Sequence, residues 1–213
     1  METKLTRIAR IAKERPKERI TSLAGLINQE SLKESHRKMS GKKAVGADQM
    51  TKEEYDRNLD ENIEDLLVKM KKQAYKPQPV RRVYIPKVGT DKMRPLGIPA
   101  YEDKLVQSVL SDILNAVFEG DFLDCSFGFR PNRGCHDALK AVNAMICKKS
   151  VNYVVDADIK GFFDNMNHTW LMKFIDHRIG DANVYRLIAR FLKSGLIENG
   201  EHKKRQSAHL KGV

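Results

Sequence analysis

The 213-residue sequence lacks the features that define several common classes of protein. It has no apolar run near the ~18 residues that a membrane-spanning helix needs. Residues 1–5 include charges but no apolar stretch of the kind that a secretory signal requires. Its cysteines, Cys125, Cys135 and Cys147, are widely spaced and form no Cys-x-x-Cys pair. We therefore expect reduced thiols in the cytoplasm, and neither a disulfide framework nor a zinc site.

Local enzyme signatures are missing as well. The sequence contains no Gly-x-x-x-x-Gly-Lys phosphate loop and no Gly-x-Ser-x-Gly nucleophile turn. Positive charge, in contrast, is in excess, because 39 Lys and Arg against 28 Asp and Glu give a formal net charge of +11. Such a surplus favours a polyanionic partner such as nucleic acid, with an acidic membrane surface or plain solubility as alternatives.

Hydrophobic spacing divides the chain into three predicted parts. Residues 1–40 form a basic helical extension that ends at a glycine-rich, charged loop over 40–48. Residues 41–150 contain a helix over 52–74 that begins with a Thr51 and Glu54 capping box, a hairpin over 80–99 and a packed loop over 120–134. They also contain a helix around 138–146 with an apolar face and a helix whose eight stripe residues we expect in the core: Leu105, Val106, Val109, Leu110, Ile113, Leu114, Val117 and Phe118. Residues 151–213 begin with an apolar run over 151–157, predicted as a buried strand, followed by two helices.

Acidic residues beside this predicted strand are candidates for chemistry. Asp158 follows the strand, where a carboxylate is costly unless it binds a cation or a partner, or caps a helix. Asp156 shares its face and could help to hold Mg²⁺, although pairing with a lysine is the plainer interpretation. Asp164 could also reach a metal, although a turn or cap residue is the plainer interpretation.

Cations flank the predicted hairpin turn. Lys87 and Arg94 could clamp a triphosphate, or they could be solvated surface residues. Arg81 and Arg82 form one of several short basic clusters that could together follow a phosphate backbone, with an affinity that falls as salt rises.

Four segments, taken in order, resemble the group II intron-encoded reverse transcriptase/maturase family. They are residues 75–87, residues 94–99 (Arg-Pro-Leu-Gly-Ile-Pro), residues 127–131 with 135–139, and residues 156–165 (Asp-Ala-Asp-Ile-Lys-Gly-Phe-Phe-Asp-Asn). The resemblance implies an α+β fold, the helix-rich fingers and incomplete palm of a right-hand polymerase. The fingers would span 41–150 and the palm would start in 151–213. The implied activity is RNA-directed DNA polymerisation, with a maturase role in intron RNA splicing and mobility.

The same resemblance implies roles for individual residues. Asp158 would be the first catalytic aspartate and, with the backbone carbonyl of Ile159, would bind Mg²⁺ in a two-ion site. Lys87 and Arg94 would contact the triphosphate of the incoming nucleotide. Phe163 would lie under its sugar and exclude a 2′ hydroxyl by clash.

The implied partners are group II intron RNA, a template RNA, a DNA primer and deoxynucleoside triphosphates, with no membrane and a bacterial cytosolic location. Arg81, Arg82 and Arg130 are the expected RNA contacts. Family members often dimerise, but the sequence sets no oligomeric state here.

The family's Gly-x-Pro-Gln-Gly-Gly and Tyr-x-Asp-Asp motifs do not occur in the 213 residues. Two-metal catalysis needs a second carboxylate from such a motif, so we expect a truncated fragment that does not polymerise alone. Two alternatives stay open: a non-catalytic module that binds intron RNA, and a retron or diversity-generating reverse transcriptase built on the same scaffold.

Overall fold

The computed structural model describes residues 3–86, 89, 91–148, 150–163 and 165–203. Helices dominate this part of the chain, and a small sheet accompanies them, in agreement with the expected α+β class. None of the helices described is both long and apolar enough to cross a membrane. In chain order the elements are α1 (Lys4–Glu14), α2 (Gln29–Lys38), α3 (Lys52–Asp56), α4 (Leu59–Lys71), β1 (Val80–Pro86), β2 (Met93–Ile98), α5 (Tyr101–Phe118), α6 (Cys135–Lys148), α7 (His168–Arg178), α8 (Ala182–Lys193), β3 (Leu196–Glu198) and β4 (Glu201–Lys203).

The predicted helix over 52–74 is present as two helices. The Thr51 capping box is confirmed, since the Thr51 side chain accepts from the Glu54 amide and the Glu54 side chain accepts from the Thr51 amide. Asn58 leaves the helical conformation, with φ −128° and ψ 41°, and starts α4. The side-chain amide of Asn62 then donates to the Tyr55 carbonyl at 3.0 Å, which satisfies the open end of α3.

The sheet has the strand order β2-β1-β3-β4. β1 and β2 form the predicted antiparallel hairpin, whose register runs from Arg81 opposite Ile98 to Pro86 opposite Met93. β3 then pairs with β1 in parallel and continues into a second hairpin with β4. Gly195, at φ +77°, follows the end of α8 and turns the chain directly into β3.

The core is built around α5. Six of its eight predicted stripe residues are buried, while Leu114 and Phe118 pack half-buried against the same cluster. α1 and α2 pack against α5, and the cluster continues into α4, α7 and α8. Residues 1–40 thus share one core with helices beyond residue 150. The division of the chain at residues 40 and 150 stays a prediction.

Arg178 at the end of α7 anchors the amino-terminal segment. Its guanidinium donates to the carbonyls of Ala12, Arg15 and Glu18 at 2.7–2.9 Å and pairs with Asp121 at 2.8 Å. The Arg178 side chain is only 3% exposed, so these bonds are made largely out of water. They hold the end of α1 against α7.

The predicted helix around 138–146 is present, whereas the buried strand predicted over 151–157 is not. α6 forms, but its apolar residues Leu139, Val142, Met145 and Ile146 are each more than half exposed. Residues 151–157 form no strand, and Val155 is 89% exposed. Apolar periodicity indicates which face can be buried, but burial also needs a partner, and the described residues place none against either segment.

Candidate nucleic-acid interface

The β1–β2 hairpin presents one of the predicted triphosphate contacts at a defined position. Ile85 pairs with Arg94, one step from the last pair before the turn, and Arg94 is exposed. Lys87 follows Pro86 in the sequence and lies outside the described residues. Arg94 is therefore available to an anion near the turn end of the hairpin.

Arg81 and Arg82, predicted as RNA contacts, play different roles. Arg81 donates from Nε and Nη2 to the Val45 carbonyl at 3.1 and 2.6 Å, so its half-buried guanidinium ties the loop over 40–48 to the sheet. Arg82, next along β1, faces the opposite side. It shares that face with Tyr84, whose hydroxyl donates to the Glu198 carboxylate of β3.

The loop over 40–48 is held at three further points. The Lys104 ammonium donates to the Ala44 carbonyl at 2.6 Å, and Asp48 accepts from the Tyr101 amide at the start of α5 at 2.7 Å. Gly46 lies so close to the backbone just before α5 that a Cβ there would be 2.3 Å from the Pro99 carbonyl oxygen. These contacts fix an otherwise irregular loop beside the base of the hairpin.

The Lys104 side chain of α5, which contacts this loop, is partly removed from water. Burial lowers the pKa of Lys104, and the nearby Asp48 carboxylate opposes that shift. Lys42 and Lys43 stay exposed on the loop. Sequence reasoning grouped these lysines with other surface clusters and missed Lys104 and Asp48, because the only local signal was a Gly and an Asp in a charged loop.

Arg130 contradicts its predicted role. Its side chain is 5% exposed and pairs with Glu119 at 2.8 Å. The same guanidinium donates to the carbonyls of Leu123 and Ser126 at 2.8 and 2.9 Å, and it lies 5.1 Å from the Phe122 ring centroid. Arg130 therefore organises the loop after α5 and is not exposed to RNA. The loop is therefore held by the hydrogen bonds of Arg130. Its Phe129 ring is fully exposed and does not contribute to the packing that the sequence predicts for this loop.

Asp158 is an exposed carboxylate that makes no hydrogen bond or ion pair with another described residue. The helix that follows it, α7, is capped by Asn167, whose Oδ1 accepts from the amides of Thr169 and Trp170. Asp158 therefore does not serve as the cap of that helix, which was the structural alternative for this residue. Asp164 lies outside the described residues.

The two neighbours of Asp158 with predicted roles are also exposed. The side chain of Ile159 is 69% exposed and that of Phe163 is 66% exposed. The Phe163 ring packs edge-on against Phe162, with centroids 5.4 Å apart. The segment thus displays a carboxylate and two aromatic rings together on the surface.

A metal site needs more ligands than this segment brings together. Among the described residues no group of three or more His, Cys, Asp or Glu side chains is close enough to hold a metal ion. Asp158 has the oxygen chemistry that Mg²⁺ prefers and is open to solvent, so it fits the part of a single ligand.

A basic surface lies on α1. Lys4, Arg7 and Lys13 are exposed along this helix, whereas Ala12 is buried against the core. The helix therefore presents cations to solvent on one side while Arg178 holds its end in place.

One protein family matches more than half of the chain. Residues 85–213, more than half of the chain, match the family described as reverse transcriptase (RNA-dependent DNA polymerase). The match includes Arg94, Asp158 and Phe163.

Two of the three relatives described here have names that refer to introns. The group II intron-encoded protein LtrA of Lactococcus lactis subsp. cremoris is 42% identical over 153 residues, covering 72% of this chain and 25% of LtrA. Protein YkfC of Escherichia coli K12 is 35% identical over 192 residues, covering 87% of this chain and 50% of YkfC. Nuclear intron maturase 2 of Arabidopsis thaliana is 29% identical over 108 residues, covering 49% of this chain and 14% of that protein. The chain thus spans between a seventh and a half of the length of these relatives.

Proposed function

Because the chain belongs to the reverse transcriptase family, we propose that it forms the fingers and the first part of the palm of an RNA-directed DNA polymerase encoded by a group II intron. We include in this proposal a maturase role in splicing of the intron RNA. The observation that carries it is the family match over residues 85–213, which includes the exposed Arg94 and Asp158. The names of LtrA and of the Arabidopsis maturase support the intron assignment.

In this function Asp158 and the Ile159 carbonyl would hold one Mg²⁺ ion, which would need further ligands besides these two. Asp158 is exposed and has no hydrogen-bond or ion-pair partner among the described residues, which supports this role, because a carboxylate already paired with a cation would resist metal binding. A bound pair of Mg²⁺ ions would activate the attacking hydroxyl and stabilise charge on the phosphate.

The incoming nucleotide is held from two sides. Arg94 and Lys87 bind its triphosphate, for which the planar guanidinium of Arg94 offers a two-pronged contact. Phe163 excludes a 2′ hydroxyl, so that Phe163→Ala would relax the preference for deoxynucleotides over ribonucleotides. The exposed Phe163 ring supports this, since a buried ring could not contact a sugar.

RNA binds across the exposed cations of α1 and of the loop over 40–48. A second candidate function, a non-catalytic module that binds intron RNA, is favoured by the net charge of +11 together with the lack of a metal-ligand cluster in the described residues. Both functions predict binding that weakens with salt. If about five phosphates are neutralised, affinity for single-stranded RNA falls by between three and four orders of magnitude, roughly, for a tenfold rise in salt.

A chimera separates the two functions. The 153-residue stretch of LtrA that aligns with this chain is replaced by the chain's own residues, and primer extension is measured on an RNA template with Mg²⁺ and deoxynucleotides. We expect DNA synthesis that Asp158→Asn abolishes and that Asp112→Asn, a change at an exposed carboxylate of α5, leaves intact. A folded chimera that binds RNA but makes no DNA would support the binding module instead.

The 213-residue chain is then assayed alone. We expect RNA binding with the steep salt dependence above and no primer extension, because two-metal catalysis needs a further carboxylate beside Asp158. Asp158→Ala should leave RNA affinity unchanged, since its side chain is assigned to metal. Extension by the chain alone, or loss of RNA binding in a folded Asp158→Ala protein, would contradict these roles.

A further inference from the structure

A cavity of about 560 Å³ lies where the start of α2, the end of α4 and the first turns of α8 meet. None of the roles described above uses it. Its walls include the apolar side chains of Leu67, Met70 and Leu187. This volume falls within the range of about 300–1,000 Å³ that small-ligand pockets usually have.

The polar part of the lining has one sign of charge. Lys71, Arg186 and Arg190 contribute three cations, and no Asp or Glu is among the described residues that line the cavity. Arg190 donates to the carbonyls of Tyr75 and Gln73 at 2.8 and 2.9 Å, which orients its guanidinium without neutralising it. The cavity therefore combines an apolar interior with an electropositive rim.

Side-chain amides complete the rim. Gln29, Gln73 and Asn183 line the cavity, and each amide offers both a donor and an acceptor. The Nη2 of Arg186 donates to Asn183 Oδ1 at 2.7 Å. This bond fixes the orientation of the Asn183 amide. Amides of this kind can bond the mixed donor and acceptor edge of a nucleobase.

We propose that this cavity binds an unpaired nucleotide of RNA. The base would enter the apolar interior with its edge on the amides, and its phosphate would lie against Arg186 and Lys71. Paired bases are inaccessible in an A-form duplex, whereas unpaired bases in loops and bulges can be splayed into protein pockets. The inference rests on the proposed binding of RNA and gives that binding a preference for single-stranded segments. An acidic peptide carries negative charge as RNA does, but its binding does not require an apolar interior.

Two isosteric charge changes test the cavity without disturbing the fold. Gln29 is the first residue of α2 and Asn183 the second of α8, and both are exposed. Gln29→Glu and Asn183→Asp add a carboxylate at a helix N-terminus, where negative charge is favourable. Asn183→Asp also keeps the acceptor for Arg186.

Asn58→Asp is the matched control. It adds the same charge at the start of α4, where Asn58 is the N-cap and makes no side-chain cap bond. That position is at the other end of α4 from Lys71, about 20 Å away along the helix. The control therefore reports the general effect of one unit of charge on RNA affinity.

Binding of the full chain to a short oligouridylate and to a fully paired RNA duplex is measured by fluorescence anisotropy. We expect each cavity variant to weaken oligouridylate binding by about fivefold or more, and Asn58→Asp by less than about twofold. Duplex binding should change equally in all three variants. An oligouridylate carrying 4-thiouridine should photocrosslink to residues 67–75 or 183–190.

The outcomes distinguish the two levels of the proposal. If neither RNA binds the wild-type chain, the proposed RNA function fails. If RNA binds and the cavity variants behave like Asn58→Asp on oligouridylate, the cavity inference alone is overturned. Displacement of oligouridylate from the cavity by polyglutamate, with the same dependence on Asn183→Asp, would assign the site to an acidic peptide instead.

Discussion

Replacement of Arg178 by methionine is the most informative test of how the amino-terminal segment is held. Methionine keeps much of the length and apolar character of the arginine stem but removes every donor. The substitution removes the Arg178 donor from the carbonyls of Ala12, Arg15 and Glu18. It also removes the cation that pairs with the Asp121 carboxylate.

The structure sets the size of the effect. A buried polar group that loses its partner costs about 1–3 kcal/mol, and removal of one partner from a buried ion pair costs about 3–5 kcal/mol. Asp121 is 30% exposed, and water can reach some of the freed carbonyls, so the lower part of that range applies. We expect Arg178→Met to lower the free energy of unfolding by about 3–4 kcal/mol, a large share of the 5–15 kcal/mol typical of folded proteins.

Urea denaturation of the full chain measures this loss, and amide hydrogen exchange locates it. Arg19→Met is the matched control, because Arg19 also joins the amino-terminal segment to α7 through Asp176, but both side chains of that pair are half exposed. We expect the control to cost less than about 1 kcal/mol. Equal costs for both variants, or unchanged protection of the α1 amides in Arg178→Met, would refute the assignment of Arg178 as the anchor.

Three further predictions concern packing, pH and the exposed carboxylate. Gly46→Ala should destabilise the chain by about 2 kcal/mol, because the new Cβ meets backbone, whereas Gly25→Ala, which meets nothing within 4 Å, should be neutral or stabilising in the same thermal melts. Burial raises the pKa of Glu102, with Lys69 opposing. The stability that Glu102 contributes is therefore present below its unfolded pKa and is lost as pH rises through the folded pKa. Glu102→Gln should accordingly gain stability relative to wild type as pH rises above about 4, near the ordinary glutamate pKa, and a pH-independent difference would contradict this. Asp158→Ala should change the free energy of unfolding by no more than about 0.5 kcal/mol, since its side chain is exposed and makes no hydrogen bond or ion pair with another described residue. A larger loss in denaturation would reveal a structural role.

Local signals in the sequence predicted local structure well. The Thr51 capping box, the hairpin over 80–99 and the stripe of α5 each depend on residues of one short stretch of sequence, and the structure contains all three. The stripe succeeds because eight apolar residues at helical spacing have few alternatives to burial in a chain of this length.

Roles that depend on distant partners were not predictable in the same way. Arg130 and Arg94 are both arginines beside a proline in the sequence, yet one is buried against Glu119 and the other is exposed. β3 pairs with β1, although the two strands are more than a hundred residues apart in the sequence. No local sequence pattern predicts that pairing. The candidate site shows the same division, since a motif identifies Asp158 but does not indicate whether the side chain is exposed.

Composition and motif order alone therefore established the family of this chain, its basic character and the residue types available for phosphate and metal. The tertiary structure alone determined which cations face solvent and which hold loops together. It also determined which amides and arginines line a cavity. The physical reason is that residue type sets the chemistry of a side chain, whereas its exposure depends on packing against residues far away in the sequence.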